Sequence, residues 1–116
     1  MSLPNLTFLD LSVNKIKEIS NFSTVEHLRV LILSKNMIES IRNLDAFKNL
    51  DVLDLHENKI TKIDNLGKLV NLRVLNLSNN LIEVIENLGG LKALVELNLR
   101  KNKINLIKEL NGLNSL

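Results

Sequence analysis

Residues 53–72 read LDLHENKITKIDNLGKLVNL, and residues 75–94 read LNLSNNLIEVIENLGGLKAL. Offset by 22 residues, the two stretches place leucines, two asparagines and two isoleucines at the same points. Carried outward in both directions, that period divides the chain into five segments, 3–24, 25–46, 47–68, 69–90 and 91–112, without insertion or deletion. Residues 113–116 begin a sixth. The shared pattern is L-x-x-L-x-x-L-x-L-x-x-N-x-I-x-x-I-x-x-L-x-x, and its seven apolar positions are filled in every segment. The seventh position is Leu9, Leu31, Leu53, Leu75 and Leu97, and the ninth is Leu11, Leu33, Leu55, Leu77 and Leu99. Isoleucine columns run from Ile16 to Ile104 and from Ile19 to Ile107. A fixed period of this length marks an array of stacked units, each too small to bury its own apolar face.

The spacing within one unit sets its shape. Around the seventh and ninth positions apolar residues alternate with others, as a half-buried strand requires. Further on, the apolar spacing becomes three, which suits a 3₁₀ turn or a short helix. Only about nine residues remain for this return leg, too few for a long crossover helix. The expectation is an α/β, right-handed solenoid with five parallel strands on a concave face and short 3₁₀ or helical turns on the convex face. At the twelfth position stand Asn14, Asn36, Asn58, Asn80 and Asn102. There the chain leaves the strand, and a carboxamide supplies both a donor and an acceptor to turn groups that lack ladder partners. This column reads as structural.

Composition narrows the function. Cysteine is absent, so disulfides and thiolate metal sites are excluded, which fits a reducing compartment. Aromatic residues are 3% of the chain, with no Trp and no Tyr, so stacking on nucleic-acid bases has little to work with. Net charge is only +2, but it is uneven. The fifth segment carries Lys92, Arg100, Lys101, Lys103 and Lys108 against Glu96 and Glu109, a surplus suited to an acidic protein tail or a phosphate backbone. No apolar run is long enough to span a membrane, and the first residues do not form a signal peptide. No phosphate loop or metal-ligand set occurs, so no cofactor and no metal are expected. Gly89 and Gly90 fall at a segment junction, where tight turns favour glycine. Ser34, Asp54 and His56 on adjacent strands resemble a hydrolase triad, yet an open sheet offers no oxyanion hole or enclosure. An enzyme is not expected.

The N-x-I-x-x-I-x-x-L tail of the quoted stretches resembles the 22-residue leucine-rich repeats named for the regulatory subunit of type-1 protein phosphatase. The resemblance covers essentially the whole chain. It implies an intracellular, mostly eukaryotic adaptor that binds proteins through its concave sheet. Similar repeats serve a phosphatase regulator, axonemal dynein light chains, a spliceosomal subunit and centrosomal or tubulin-modifying scaffolds. A cytoplasmic location follows from that likeness, with nuclear or ciliary settings as variants. Capping elements typical of such arrays are not recognisable, so the sequence reads as an uncapped excerpt of a longer protein whose ends invite self-association.

Residues that the ladder does not use carry the candidate site. The sixth, eighth and tenth positions should face the concave side, on strands of about five residues. Phe8, Val30, Ile32, Val52 and Val74 form an apolar margin there, and Asp54 and His56 lie beside it. Arg100 and Lys101 add a basic edge. The expected function is a protein-binding scaffold using these residues. The alternative is a ribonucleoprotein component that contacts RNA, or an RNA-binding protein, through the basic fifth segment.

Overall fold

A computed structural model describes residues 5–20, 25–108 and 110. Five strands of three residues each follow the repeat: β1 Phe8–Asp10, β2 Val30–Ile32, β3 Val52–Asp54, β4 Val74–Asn76 and β6 Glu96–Asn98. They form one parallel sheet in the order β1-β2-β3-β4-β6. Each residue pairs with the one 22 positions later, as in Phe8↔Val30, Val30↔Val52, Val52↔Val74 and Val74↔Glu96. The sheet is therefore the sequence period written in hydrogen bonds.

Behind the sheet lies the core. Leu31, Leu33, Leu53, Leu55, Leu75 and Leu77 are fully buried, as are Ile38, Ile60 and Ile82. Each of these side chains contributes about 1.5–3 kcal/mol by leaving water. In repeats 2–4 the leucines of the seventh and ninth positions have the same residue on the turn before and the turn after, and both columns are leucine throughout. Leu9, Leu11, Leu97 and Leu99, in the first and fifth repeats, are only partly buried against that core.

On the convex side the apolar spacing of three yields isolated i→i+3 turns. Phe47 N–H donates to Leu44 O at 3.0 Å and Leu50 N–H to Phe47 O at 3.1 Å. The same pair of bonds recurs at Leu69 and Leu72, and at Leu91 and Leu94. Of the two forms expected on this leg, the tight turn is the one adopted, and no α-helix occurs among the described residues. A second sheet, not anticipated from the sequence, pairs β5 (Val84–Ile85) with β7 (Leu106–Ile107). Its cause is local. The sixteenth position is Val84 and Leu106 in these two repeats but Glu18, Ser40 and Lys62 in the others, and apolar residues suit a half-covered strand better.

Asparagines connect the turns. Asn58 Oδ1 accepts from Ile38 N–H at 3.0 Å, while its Nδ2 donates to Leu33 O and Leu55 O, both at 3.0 Å. Asn36, Asn80 and Asn102 repeat this arrangement, reaching one turn back. Among the described residues, the Asn14 side chain bonds only within its own repeat, to Leu11 O and Ser12 O. The residue before each of these asparagines has a left-handed backbone: Val13, Lys35, Glu57, Asn79 and Lys101 lie at φ between 54° and 56°. That conformation costs about 1–2 kcal/mol for a residue with a side chain. It is held because it turns the chain inward while its N–H still bonds the next strand's turn, as Lys35 N–H does to His56 O at 2.9 Å.

A second set of asparagines occupies the nineteenth position. Asn43, Asn65 and Asn87 also have positive φ, near 60°, and donate from Nδ2 to Ile19 O, Ile41 O and Ile63 O one turn back. Their counterpart Asn21 lies outside the described residues, as does the sixth segment expected at 113–116. Gly90 differs from the expectation of a turn glycine. A Cβ placed on it would sit 2.9 Å from Gly67 Cα and 3.0 Å from Gly67 O, so glycine is needed there for close approach of two backbones.

Candidate interaction face

The outward positions of the five-stranded sheet bring most of the predicted residues together. Phe8, Val30, Val52 and Val74 occupy the sixth position on consecutive strands, in direct register, and end at Glu96. Phe8 is 56% exposed, and the three valines are half-buried by their neighbours along the strip. Ile32 lies two residues beyond Val30, at the next outward position of β2, and is partly exposed like the valines. The margin is thus a single apolar strip crossing repeats 1–4, with Ile32 widening it at repeat 2.

The polar residues beside the strip are largely engaged with their own backbone. Asp10 Oδ1 accepts from Ser12 N–H at 2.9 Å, Asp54 Oδ1 from His56 N–H at 3.0 Å, Asn76 Oδ1 from Ser78 N–H at 3.1 Å and Asn98 Oδ1 from Arg100 N–H at 3.1 Å. These are Asx turns, in which a short carboxylate or carboxamide closes the turn two residues on. The bonds with Ser12 hold the Asp10 carboxyl below its ordinary range. The regular strands end at this eighth position, so they have three residues where about five were expected. Inside–outside alternation continues one residue further, to the buried leucines of the ninth position, and ends after them. Consequently the tenth position does not uniformly face the concave solvent: Ser34 and Ser78 are 4% and 8% exposed, and Ser78 Oγ donates to Asn76 Oδ1 at 2.9 Å.

His56 is too large for that tuck and stays partly exposed, with Nδ1 2.7 Å from Asp54 Oδ1. The pair sits next to the apolar strip at repeat 3. Arg100 and Lys101 are exposed and lie apart from it, lining with Ser78, Asn79 and Asn98 a small hollow of about 120 Å³ at the exit of the last two strands. The structure therefore joins Phe8, Val30, Ile32, Val52, Val74, Asp54 and His56 on one face and leaves the basic pair on its margin. No three His, Cys, Asp or Glu side chains gather as a metal site among the described residues.

Sequence reasoning overlooked one group. Where the chain enters the sheet, Arg73 grips Asp51 with two bonds, Nε to Oδ1 at 2.6 Å and Nη2 to Oδ2 at 3.1 Å. The Arg73 guanidinium holds the Asp51 carboxyl below its usual range. Both occupy the fifth position of adjacent repeats, and an alternating-charge column there (Arg29, Asp51, Arg73) was the readable signal.

A two-copy leucine-rich repeat signature matches residues 4–46 and 26–68, and a second leucine-rich repeat signature matches residues 48–104. The chain belongs to the leucine-rich repeat family. Among solved structures it resembles TLR13 in complex with the single-stranded RNA ssRNA13, at TM-score 0.90 and 34% identity over 97% of this chain. It also resembles a leucine-rich repeat protein of Leptospira interrogans, at TM-score 0.83 and 30% identity over 90% of the chain. An internalin of Listeria monocytogenes follows at TM-score 0.72 and 25% identity, again over 90%. The chain spans 17%, 28% and 37% of those three chains, respectively. No curated protein matches it significantly. No helix among the described residues is long and apolar enough to cross a membrane.

Proposed function

We propose that the chain is a protein-interaction scaffold that docks its partner on the apolar strip of the concave sheet. One observation carries this reading: Phe8, Val30, Val52 and Val74 stand in register on four strands, on a face whose other side chains are mostly engaged in turns. A rigid sheet presents that strip with little ordering cost, which favours binding. Asp54 and His56 contribute polar contacts at its flank, and Arg100 and Lys101 lie within reach of an acidic extension of the partner. The five uninterrupted 22-residue units further support membership of the phosphatase-regulator class, hence a role as regulatory or cytoskeletal adaptor. The five segments from 3 to 112 then act as one recognition unit. Five strands at ~4.8 Å spacing cover well under the ~800 Å² that each partner buries in a standard interface, so this stretch alone binds weakly.

Capture from a cytosolic extract tests the proposal. The parent chain is compared with Phe8→Glu/Ile32→Glu/Val52→Glu, after circular dichroism has shown both to be folded. Partners retained by the parent and lost by the variant are expected; identical capture by both removes the strip as the docking site. A second reading is favoured by the resemblance to TLR13 in its RNA complex and by the basic hollow at Arg100 and Lys101: contact with RNA through the fifth repeat. RNA affinity that falls steeply with salt supports it, and no binding at low salt eliminates it.

A further inference from the structure

The entry rim of the sheet, on the opposite side from Arg100 and Lys101, holds a polar hollow of about 430 Å³. Arg29, Asn49, Asp51, Asn71 and Arg73 line it. Its volume lies within the range of about 300–1,000 Å³ typical of ligand sites, so it has room for a side chain and adjoining backbone and not merely an ion. The two arginines are in different situations. Arg73 is committed to Asp51 by its two bonds. Arg29 is exposed, and its side chain has no hydrogen bond or ion pair among the described residues, although its charge acts on Asp51. Its five N–H donors are open. Asn71 is fixed by donating from Nδ2 to Lys48 O at 2.8 Å, which leaves its Oδ1 without a donor, and Asn49 has no side-chain bond.

The chemistry specifies a ligand. Two guanidinium groups against one carboxylate leave the lining at +1, enough for one monoanion. Asp51 would repel a dianionic phosphate or a polyphosphate chain, whereas a single carboxylate fits the fork of Arg29. The carboxamide of Asn49 and the unbonded Oδ1 of Asn71 match the C=O and N–H of a peptide. Position matters as well: Arg29, Asp51 and Arg73 directly precede Val30, Val52 and Val74, so the hollow borders the apolar strip along repeats 2–4.

We propose that this rim receives an aspartate or glutamate side chain from an acidic segment of the partner whose apolar residues lie on the strip. Arg29 takes the carboxylate through two N–H groups, and Asn49 and Asn71 hold the flanking backbone. Arg73, held by Asp51, forms the far wall. The identity of the ligand as part of a protein rests on the proposed concave docking; the preference for a carboxylate does not.

The test is an NMR titration of the full chain at low ionic strength with acetyl-Glu-Glu-Glu-amide, the corresponding glutamine tripeptide and inorganic phosphate. These probes have no apolar residues, so the result is independent of docking on the strip. The glutamate peptide is expected to shift the Arg29 Nε–H and Asn49 side-chain resonances. Arg29→Gln should weaken that binding about tenfold, the loss of one charge-assisted bond. Asp51→Asn should strengthen it several-fold by releasing Arg73. Both positions are on the rim, and unchanged resonances of Leu31 and Leu53 will show that the fold persists. The proposal is overturned if the glutamine peptide binds equally, if phosphate binds more tightly than glutamate, if Arg29→Gln has no effect, or if the Arg29 resonance does not move.

Discussion

Each strand of the main sheet turns one residue into the coil and two outward, and the two faces obey different rules. Inward stand Leu9, Leu31, Leu53, Leu75 and Leu97, one residue type throughout. Outward on the same strands stand Phe8, Val30, Val52, Val74 and Glu96, then Asp10, Ile32, Asp54, Asn76 and Asn98. An inward side chain packs between copies of itself one turn away, so any change of volume is felt by two neighbours. An outward side chain has a neighbour on each side but none above it, which frees its identity for recognition. Uniformity therefore marks what the fold needs on these strands, and variation marks the positions the fold leaves open.

The sharpest way to break this distinction is to truncate adjacent residues of β3. Leu53→Ala should cost about 3–5 kcal/mol in denaturant unfolding, because its buried site cannot collapse against two flanking leucines. Val52→Ala, one residue away, should cost less than about 1 kcal/mol. Equal losses would deny the two-face account. Next come the asparagines. Asn58→Ala leaves the Ile38 N–H without a partner and should cost about 2–3 kcal/mol. Asn14→Ala removes only bonds within its own exposed turn and should cost about 1 kcal/mol or less, read from the same unfolding curves.

Glycine gives a matched pair of intermediate size. Gly90→Ala forces a Cβ against the Gly67 backbone and should lose about 1–3 kcal/mol, whereas the open site of Gly67 should accept alanine with a small gain. A smaller effect is expected at Val13, a β-branched residue held at φ 56° and 70% exposed. Val13→Asn should stabilise by about 1 kcal/mol, since asparagine tolerates the left-handed region better. The smallest effect is on pH. The Asp51 carboxyl is depressed by Arg73 from its ordinary 3.8, so its contribution is complete above that value and is lost as pH falls through the lower, folded-state value. Asp51→Asn should therefore flatten the stability curve below about pH 4 by only a small amount, because Arg73 is largely in water.

The coil itself was legible because its cause is periodic: seven apolar columns and an asparagine column specify strand, turn and return leg. The Asx turns at Asp10, Asp54, Asn76 and Asn98 were harder to see. The same residue types would serve as outward binding groups, and only the backbone geometry distinguishes the two uses. Burial of Ser34 and Ser78 escaped for that reason, since alternation was extended past the point where the turn ends it. The asparagines at 43, 65 and 87 formed a readable column, but their left-handed conformation belongs to the turn and not to any pattern of apolar residues. Gly90 illustrates a third gap: its requirement arises from Gly67, 23 residues away, and no local signal carries that contact. On the candidate site, the register of Phe8, Val30, Val52 and Val74 followed directly from the period, whereas the charge column leaves Asp51 flanked by Arg29 and Arg73 alike, and only the structure selects Arg73 as its partner.

In the proposed function, recognition resides on the concave strip and not on apolar exposure in general. Phe8 and Val70 test it directly, being 56% and 50% exposed on different parts of the coil. A benzoylphenylalanine photocrosslinker is placed at one position or the other, and each protein is irradiated in a cytosolic extract. The account predicts a discrete crosslinked partner from position 8 and none from position 70. Equal crosslinking from both, or crosslinking from position 70 alone, would contradict it.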